Sequence, residues 1–158
     1  MFLRHSQLQN ETGHQAGRRL LTELYRELTG NDLPSIAKGP HGKPCFVDAS
    51  WHFSITHTKH HAFCVMSRSP VGIDAEETDR KIDLRLADKI LSASEKSRYD
   101  AAADKSAALL KLWVLKEACA KRTGEGIYGY PNKTDLSPDD PRVTEMYGCY
   151  VAIVKETE

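Results

Sequence analysis

The sequence predicts an α+β protein in which an antiparallel sheet is packed by helices. Three short segments rich in β-branched and aromatic residues follow one another between positions 51 and 76, and the strongest helical pattern lies between 105 and 123. A length of 158 residues suffices for one domain with its own core. We therefore expect an N-terminal arm and helix at 1–45, followed by one main body at 46–158.

The N-terminal helix is predicted between positions 14 and 29, where apolar residues recur at helical spacing and Gly30-Asn31 is a stop signal. The arginines of this helix are expected to form an ordinary solvated face rather than a phosphate site. They are Arg18, Arg19 and Arg26. Prolines and glycines between 32 and 44 then predict a connecting loop, which contains Gly42-Lys43-Pro44.

Three strands are predicted at 51–56, 62–67 and 71–76, and the polar breaks between them favour an antiparallel meander. The last strand alternates apolar and polar residues, so Asp74 and Glu76 leave the same face about 7 Å apart. Two adjacent carboxylates favour a bound cation. A polar outer strand face is the simpler explanation for such a pair taken alone.

The region after the strands is predicted to be mostly helical. The stretch 83–101 has helical spacing with a second start signal near Ser92, which predicts a break there. The helix at 105–123 is apolar on both sides and is therefore expected to be central. A loop at 131–141 and a closing strand at 146–155 complete the prediction.

Glu117 and Lys121 are at i and i+4 on this central helix. An ordinary Glu–Lys helical pair would explain them. A carboxylate among apolar neighbours, however, needs a metal, a proton or the lysine. Together with Asp74 and Glu76, these residues predict a divalent-metal site that handles a phosphate or a pyrophosphate.

Composition excludes several other classes of protein. With 22 basic and 22 acidic residues and a pI near 7.0, nothing indicates a nucleic-acid binder or a polybasic membrane anchor. The start lacks the apolar core of a signal peptide and no run approaches the ~18 apolar residues of a membrane span, so we expect a cytoplasmic protein. The four widely spaced cysteines are expected to be reduced packing residues.

Zinc and several well-known catalytic motifs also receive no support. The histidines near the strands fit no common zinc-ligand spacing. They are His52, His57, His60 and His61. No phosphate-binding Gly-x-x-x-x-Gly-Lys-Ser loop, dinucleotide fingerprint or Gly-x-Ser-x-Gly elbow occurs.

Four segments occur together in the order and approximate spacing of one family. They are Gly42-Lys43-Pro44, Phe53-Ser54-Ile55-Thr56-His57-Thr58, Val71-Gly72-Ile73-Asp74-Ala75-Glu76, and Trp113-Val114-Leu115-Lys116-Glu117-Ala118 with Lys121. The chain resembles a 4'-phosphopantetheinyl transferase of the surfactin-synthetase-activating type, over about 42–126. The resemblance implies that family's fold and a Mg²⁺-dependent transfer of the phosphopantetheine arm of coenzyme A to a serine of an apo acyl or peptidyl carrier protein, releasing adenosine 3',5'-bisphosphate.

The resemblance also implies roles for individual residues. Asp74, Glu76 and Glu117 would hold Mg²⁺ against the coenzyme A pyrophosphate. Glu117 would also accept the proton of the carrier serine, directly or through a water. Lys121 would stabilise or protonate the leaving phosphate oxygen. The residues expected to bind the nucleotide half are Lys43, Thr56 and His57, with Lys116 as a second-rank phosphate or structural residue. The helix near 82–91 would meet the carrier protein.

Two features depart from the family pattern. The chain has Thr56 and Thr58 within a strand motif that usually carries Asn and Ser, and only about 45 residues precede the first shared motif, so the first half of the fold is expected to be reduced. Self-association would supply the missing wall, and we favour it over a minimal monomer. The alternatives to a transferase are a non-catalytic coenzyme A or carrier-protein binding module and a metal-dependent nucleotide pyrophosphohydrolase.

Overall fold

The computed structural model describes residues 1–47, 50–126 and 134–156. It shows an α+β fold, as predicted. The strands are β1 (Phe2–Gln7), β2 (Ile36–Lys38), β3 (Pro44–Phe46), β4 (His52–His57), β5 (His61–Ser67), β6 (Val71–Glu77), β7 (Val143–Met146) and β8 (Cys149–Lys155). The α-helices are α1 (Gly13–Thr29), α2 (Ala87–Ile90), α3 (Ala93–Ala101) and α4 (Lys105–Thr123). Short 3-10 turns lie at Pro40–Gly42 and Leu84–Leu86.

The strands form two three-stranded antiparallel sheets and a small hairpin. One sheet has the order β1-β5-β4, the other has the order β6-β8-β7, and β2 pairs with β3. The predicted meander is therefore wrong for its last strand, because β6 pairs with β8 and not with β5. The physical reason is that β1, which the sequence analysis did not predict, already occupies the second edge of β5.

The helix ends follow from their capping residues. Thr12 and Gln15 form a capping box at the start of α1, and Ser92 with Glu95 form another at the start of α3, which confirms the predicted break. Asp104 caps α4, and Gly124 ends it in the left-handed conformation at φ 84°. The bounds of α4 agree with the prediction. Part of the predicted 131–141 loop, residues 131–133, lies outside the described residues.

Each sheet packs against one long helix. The apolar face of α1 lies on the sheet β1-β5-β4, in a core that also contains Phe46 and Trp51. This core therefore includes residues of both predicted parts of the chain, 1–45 and 46–158. The helix α4 covers the sheet β6-β8-β7. A third cluster, which includes Phe63, Val65 and Ile73, joins the two sheets.

Two compositional predictions concern this core and its surroundings. All four cysteines are free, and Cys64, Cys119 and Cys149 are buried, as expected of reduced packing residues. Within the described residues, no helix is both long enough and apolar enough to cross a membrane.

Candidate functional site

The site is centred on a contact between β6 and α4. The ammonium of Lys121 donates to Asp74 Oδ1 at 2.6 Å, and the hydroxyl of Thr56 donates to the same oxygen at 3.0 Å. Asp74 is only 6% exposed. Two strands and one helix thus converge on a single buried carboxylate.

Gly72 allows β6 to approach α4 this closely. A Cβ atom added at Gly72 would lie 2.5 Å from the backbone nitrogen of Arg122 and would also clash with the carbonyl oxygen of Ala118. Only hydrogen fits there, so the glycine sets the distance between the strand and the helix. Asp74 follows two residues later on β6, where it meets Lys121.

Glu117 lies one helical turn before Lys121 and is half-buried. Burial raises the pKa of its carboxyl above the ordinary value of 4.5, the charge of Asp74 raises it further, and Lys121 lowers it in part. Asp74 is therefore close enough to Glu117 for its charge to disfavour ionisation of the Glu117 carboxyl. The sequence-based expectation of a carboxylate in need of compensation agrees with this environment.

Glu76, the third predicted carboxylate, forms an ion pair with Arg80 and is half-buried. Among the described residues, Asp74, Glu76 and Glu117 do not form a ready-made ligand cluster. The Oδ2 atom of Asp74, however, is buried and has no hydrogen-bond partner within the described part of the chain. A buried carboxylate oxygen without a donor is the type of ligand that Mg²⁺ prefers, so the residues fit a divalent cation.

Two cavities meet at this point. The larger, about 730 Å³, is lined by Asp74, Glu76 and residues of α1. The smaller, about 310 Å³, is lined by Glu117 and by Gly124 and other residues after α4. The side chains that line both cavities are Pro44, Phe53, Ile55 and Lys121. Lys121 therefore stands between a cavity that contains Asp74 and Glu76 and a cavity that contains Glu117.

The helix α1 contributes two side chains to the site that the sequence analysis did not assign to it. His14 and Arg18 line the larger cavity together with the predicted residue His57. All three arginines are exposed, as expected of a solvated face. Arg19 and Arg26 form ion pairs with surface carboxylates, whereas Arg18 makes no ion pair with the described residues. No sequence signal separates Arg18 from its neighbours, because only the docking of α1 on β4 orients it.

His57 is held in place by the start of α1. Its ring lies edge-on to the ring of His14, with centroids 4.9 Å apart. A Cβ atom on Gly13 would lie 2.5 Å from His57 Nδ1 and would also clash with the neighbouring ring atoms. The absence of a side chain at Gly13 thus makes room for the imidazole.

Lys43 and Thr56 line the cavities, but their polar groups are already engaged. The ammonium of Lys43 donates to the carbonyls of Val71 and Arg122 at 3.1 and 2.8 Å, which leaves one N–H for another acceptor. Burial and the charge of Arg122 lower the pKa of Lys43. The hydroxyl of Thr56 donates to Asp74, so its expected donation to a phosphate would require this bond to change and stays a prediction.

The expectation that Lys116 binds phosphate is corrected. Its side chain is fully buried and lines neither cavity. The ammonium pairs with Glu95 at 2.7 Å, and both side chains are 0% exposed. Lys116 therefore has a structural role, which the sequence analysis gave as the alternative to phosphate binding.

Comparison with known proteins identifies the family. The family model of the 4'-phosphopantetheinyl transferase superfamily matches residues 70–151. The 4'-phosphopantetheinyl transferase gsp of Aneurinibacillus migulanus is 36% identical over 100 residues, which are 62% of this chain and 41% of that protein. The 4'-phosphopantetheinyl transferase psf-1 of Bacillus pumilus is 32% identical over 127 residues, 78% of this chain and 50% of that protein. The alignments thus span no more than half of these relatives. The chain belongs to the 4'-phosphopantetheinyl transferase superfamily.

Proposed function

We propose that the protein transfers the 4'-phosphopantetheine moiety of coenzyme A to a serine of an acyl or peptidyl carrier protein. The proposal is supported by membership of the family, by the transferase names of the two relatives, and by the α+β architecture with the family's motifs in place. The observation that carries it is the contact of Lys121 with Asp74. The second oxygen of Asp74 is buried and has no partner among the described residues, and the charge of Asp74 acts on the nearby carboxyl of Glu117.

The reaction requires one bond to form and one to break. The serine oxygen attacks the phosphorus that bears pantetheine, and the bond from that phosphorus to the bridging pyrophosphate oxygen breaks, which releases adenosine 3',5'-bisphosphate. The proton of the serine hydroxyl must be accepted nearby. A half-buried carboxylate with a raised pKa is a stronger base than an exposed one, and Glu117 has this property.

Charge accumulates on the leaving phosphate as this bond breaks. Lys121 stands at the junction of the two cavities, where its ammonium can neutralise that charge as a mobile point charge. Asp74, Glu76 and Glu117 would hold Mg²⁺, with the unpartnered Asp74 Oδ2 as the most available ligand atom. The bound ion would supply electrostatic stabilisation of the pyrophosphate.

The larger cavity suits the nucleotide half of coenzyme A. Its volume of about 730 Å³ lies within the range of small-molecule sites. His14, Arg18 and His57 can donate to a phosphate from α1 and β4, and the remaining N–H of Lys43 can contribute from the wall of the smaller cavity. The carrier protein would then approach from the side of Glu117.

The proposal is tested by following adenosine 3',5'-bisphosphate by chromatography in three reactions with coenzyme A and Mg²⁺. These reactions contain an apo carrier protein, the same carrier with its acceptor serine changed to alanine, and no carrier. We expect the product only with the intact carrier. Equal release in all three would indicate a nucleotide pyrophosphohydrolase, and no release despite coenzyme A binding would indicate a binding module.

A further inference from the structure

A buried ion pair connects α3 to α4 beside the site. Lys116 Nζ lies 2.7 Å from Glu95 Oε2, and both side chains are 0% exposed. The same carboxylate accepts from the backbone nitrogens of Ser92 and Leu136 at 2.9 and 3.0 Å, and from the Thr134 hydroxyl at 2.9 Å. Lys116 also donates to Thr134 at 2.8 Å. One carboxylate thereby ties together the start of α3, the middle of α4 and the segment at 134–136.

Stability alone does not account for this arrangement. Replacing a buried ion pair by apolar side chains of similar volume is often neutral or stabilising, because two charges must be desolvated to form the pair. Apolar contacts are not directional, whereas the hydrogen bonds of a buried ion pair are satisfied in one geometry only. The pair can therefore fix an orientation that apolar packing leaves open.

The rotation of α4 about its own axis is the geometry that apolar packing determines least. Buried apolar side chains surround most of this helix, so they define no single apolar face that would set its rotation. The residues concerned are Ala108, Leu109, Leu110, Leu112, Val114, Leu115, Ala118, Cys119 and Ala120. Glu117 follows Lys116 directly, and about 100° of helical rotation separates the two side chains. Anchoring Lys116 therefore fixes where Glu117 points.

We propose that the Lys116–Glu95 pair is a positioning device, which sets the rotation of α4 so that Glu117 and Lys121 face the cavities and Asp74. This inference rests on the proposed transferase function. It makes Lys116 and Glu95 positioning residues that act through Glu117 and Lys121, without contact to substrate. A small rotation of the helix would displace both reacting groups together.

The test compares three variants: Lys116→Met, the double variant Glu95→Gln/Lys116→Met, and Lys116→Arg. Lys116→Met should lower the urea midpoint, because it leaves Glu95 buried without its cation, and the double variant should regain most of that loss. The double variant should nevertheless keep kcat about 10- to 100-fold below the unmodified protein, with a KM for coenzyme A changed less than about twofold. Lys116→Arg, which keeps the charge, should recover part of kcat.

A double variant that regains both stability and kcat would overturn the proposal, and so would a loss that appears in KM for coenzyme A instead of kcat. If the double variant does not fold, Thr134→Val takes its place, since it removes the bridging hydroxyl and keeps both charges. It should lower kcat about threefold to tenfold at unchanged KM. Unchanged kcat in this variant would also overturn the proposal.

Hydrogen exchange separates a failure of this inference from a failure of the proposed function, because it needs no activity. In the double variant, or in Thr134→Val if the double variant does not fold, the backbone amides of 117–121 should lose protection while global stability stays near that of the unmodified protein. Equal protection would contradict a positioning role. If the unmodified protein transfers nothing, the proposed function is wrong, but the comparison of hydrogen exchange between the variant and the unmodified protein stays valid.

Discussion

Lys121 Nζ lies 2.6 Å from Asp74 Oδ1, while Oδ2 of the same carboxylate is buried and unpartnered within the described part of the chain. The lysine therefore satisfies one oxygen of Asp74 and leaves the other without a donor. Under the proposed function, this division would let one carboxylate serve both the ammonium of Lys121 and a divalent metal. The central contact of the site joins β6 to α4 through two residues that lie 47 positions apart in the sequence.

The first prediction concerns the charge of Lys121. Lys121→Met should lower kcat by about 100-fold, because it removes the cation that neutralises the charge developing on the leaving phosphate. Lys111→Met is the matched control, since Lys111 lies on the same helix but faces the ring of Tyr150. Steady-state kinetics with a carrier protein measure both. A loss of similar size in the control would contradict the assignment.

The second prediction concerns the stability of Glu117→Gln in EDTA. The pKa of Glu117 is raised in the folded state, so the folded protein keeps this proton more readily than the unfolded chain does. The free energy of unfolding therefore falls as pH rises from the unfolded pKa of 4.5 to the folded pKa, and it is constant above that range as far as this group is concerned. Glu117→Gln has no such loss. It should therefore be more stable than the unmodified protein at neutral pH, with the difference vanishing below about pH 4.

Urea unfolding at several pH values measures this difference. The same variant should be almost inactive in transfer, which separates the catalytic cost of the substitution from its effect on folding. A pH-independent stability difference would show that Glu117 has no raised pKa in the folded protein. Full turnover in a folded Glu117→Gln protein would remove its catalytic role.

The third prediction concerns Gly72. Gly72→Ala should destabilise the protein by about 1–3 kcal/mol or more, because the added methyl group would overlap the backbone of α4 at Ala118 and Arg122. Moving α4 away from β6 would also lengthen the contact of Lys121 with Asp74. Chemical denaturation and kcat are the two readouts. An alanine variant with unchanged stability and kcat would show that this close approach is not required.

The fourth prediction concerns the α1 side of the larger cavity. Arg18→Ala should raise KM for coenzyme A about tenfold with little change in kcat, since it removes binding that ground state and transition state share. Arg26→Ala is the matched control, because Arg26 lies on the same helix and pairs with the exposed carboxylate of Asp32. Equal effects of the two substitutions would refute a phosphate role for Arg18.

The sequence predicts the parts of this fold that local signals determine. The bounds of α4 follow from Asp104 and Gly124, and the break before α3 follows from its capping box. The alternation in β6 predicts Asp74 and Glu76 on one face. These features depend on backbone propensity and on residues close in sequence, so no knowledge of tertiary packing is needed.

What the sequence does not predict depends on long-range pairing. The polar, partly exposed strand β1 has no clear alternation, yet by pairing with β5 it excludes β6 from that edge. Lys116 and Lys121 are both lysines on one helix, and only the placement of Glu95 and Asp74 distinguishes the buried structural one from the one in the site. Self-association stays a prediction.

The most direct test of the transferase proposal is intact-mass spectrometry of an apo carrier protein after incubation with this protein, coenzyme A and Mg²⁺. We expect the carrier to gain the mass of one phosphopantetheine group, and we expect EDTA or Asp74→Asn to abolish the gain. An unchanged carrier mass across acyl and peptidyl carriers, from a folded protein that binds coenzyme A, would contradict the proposed transferase function.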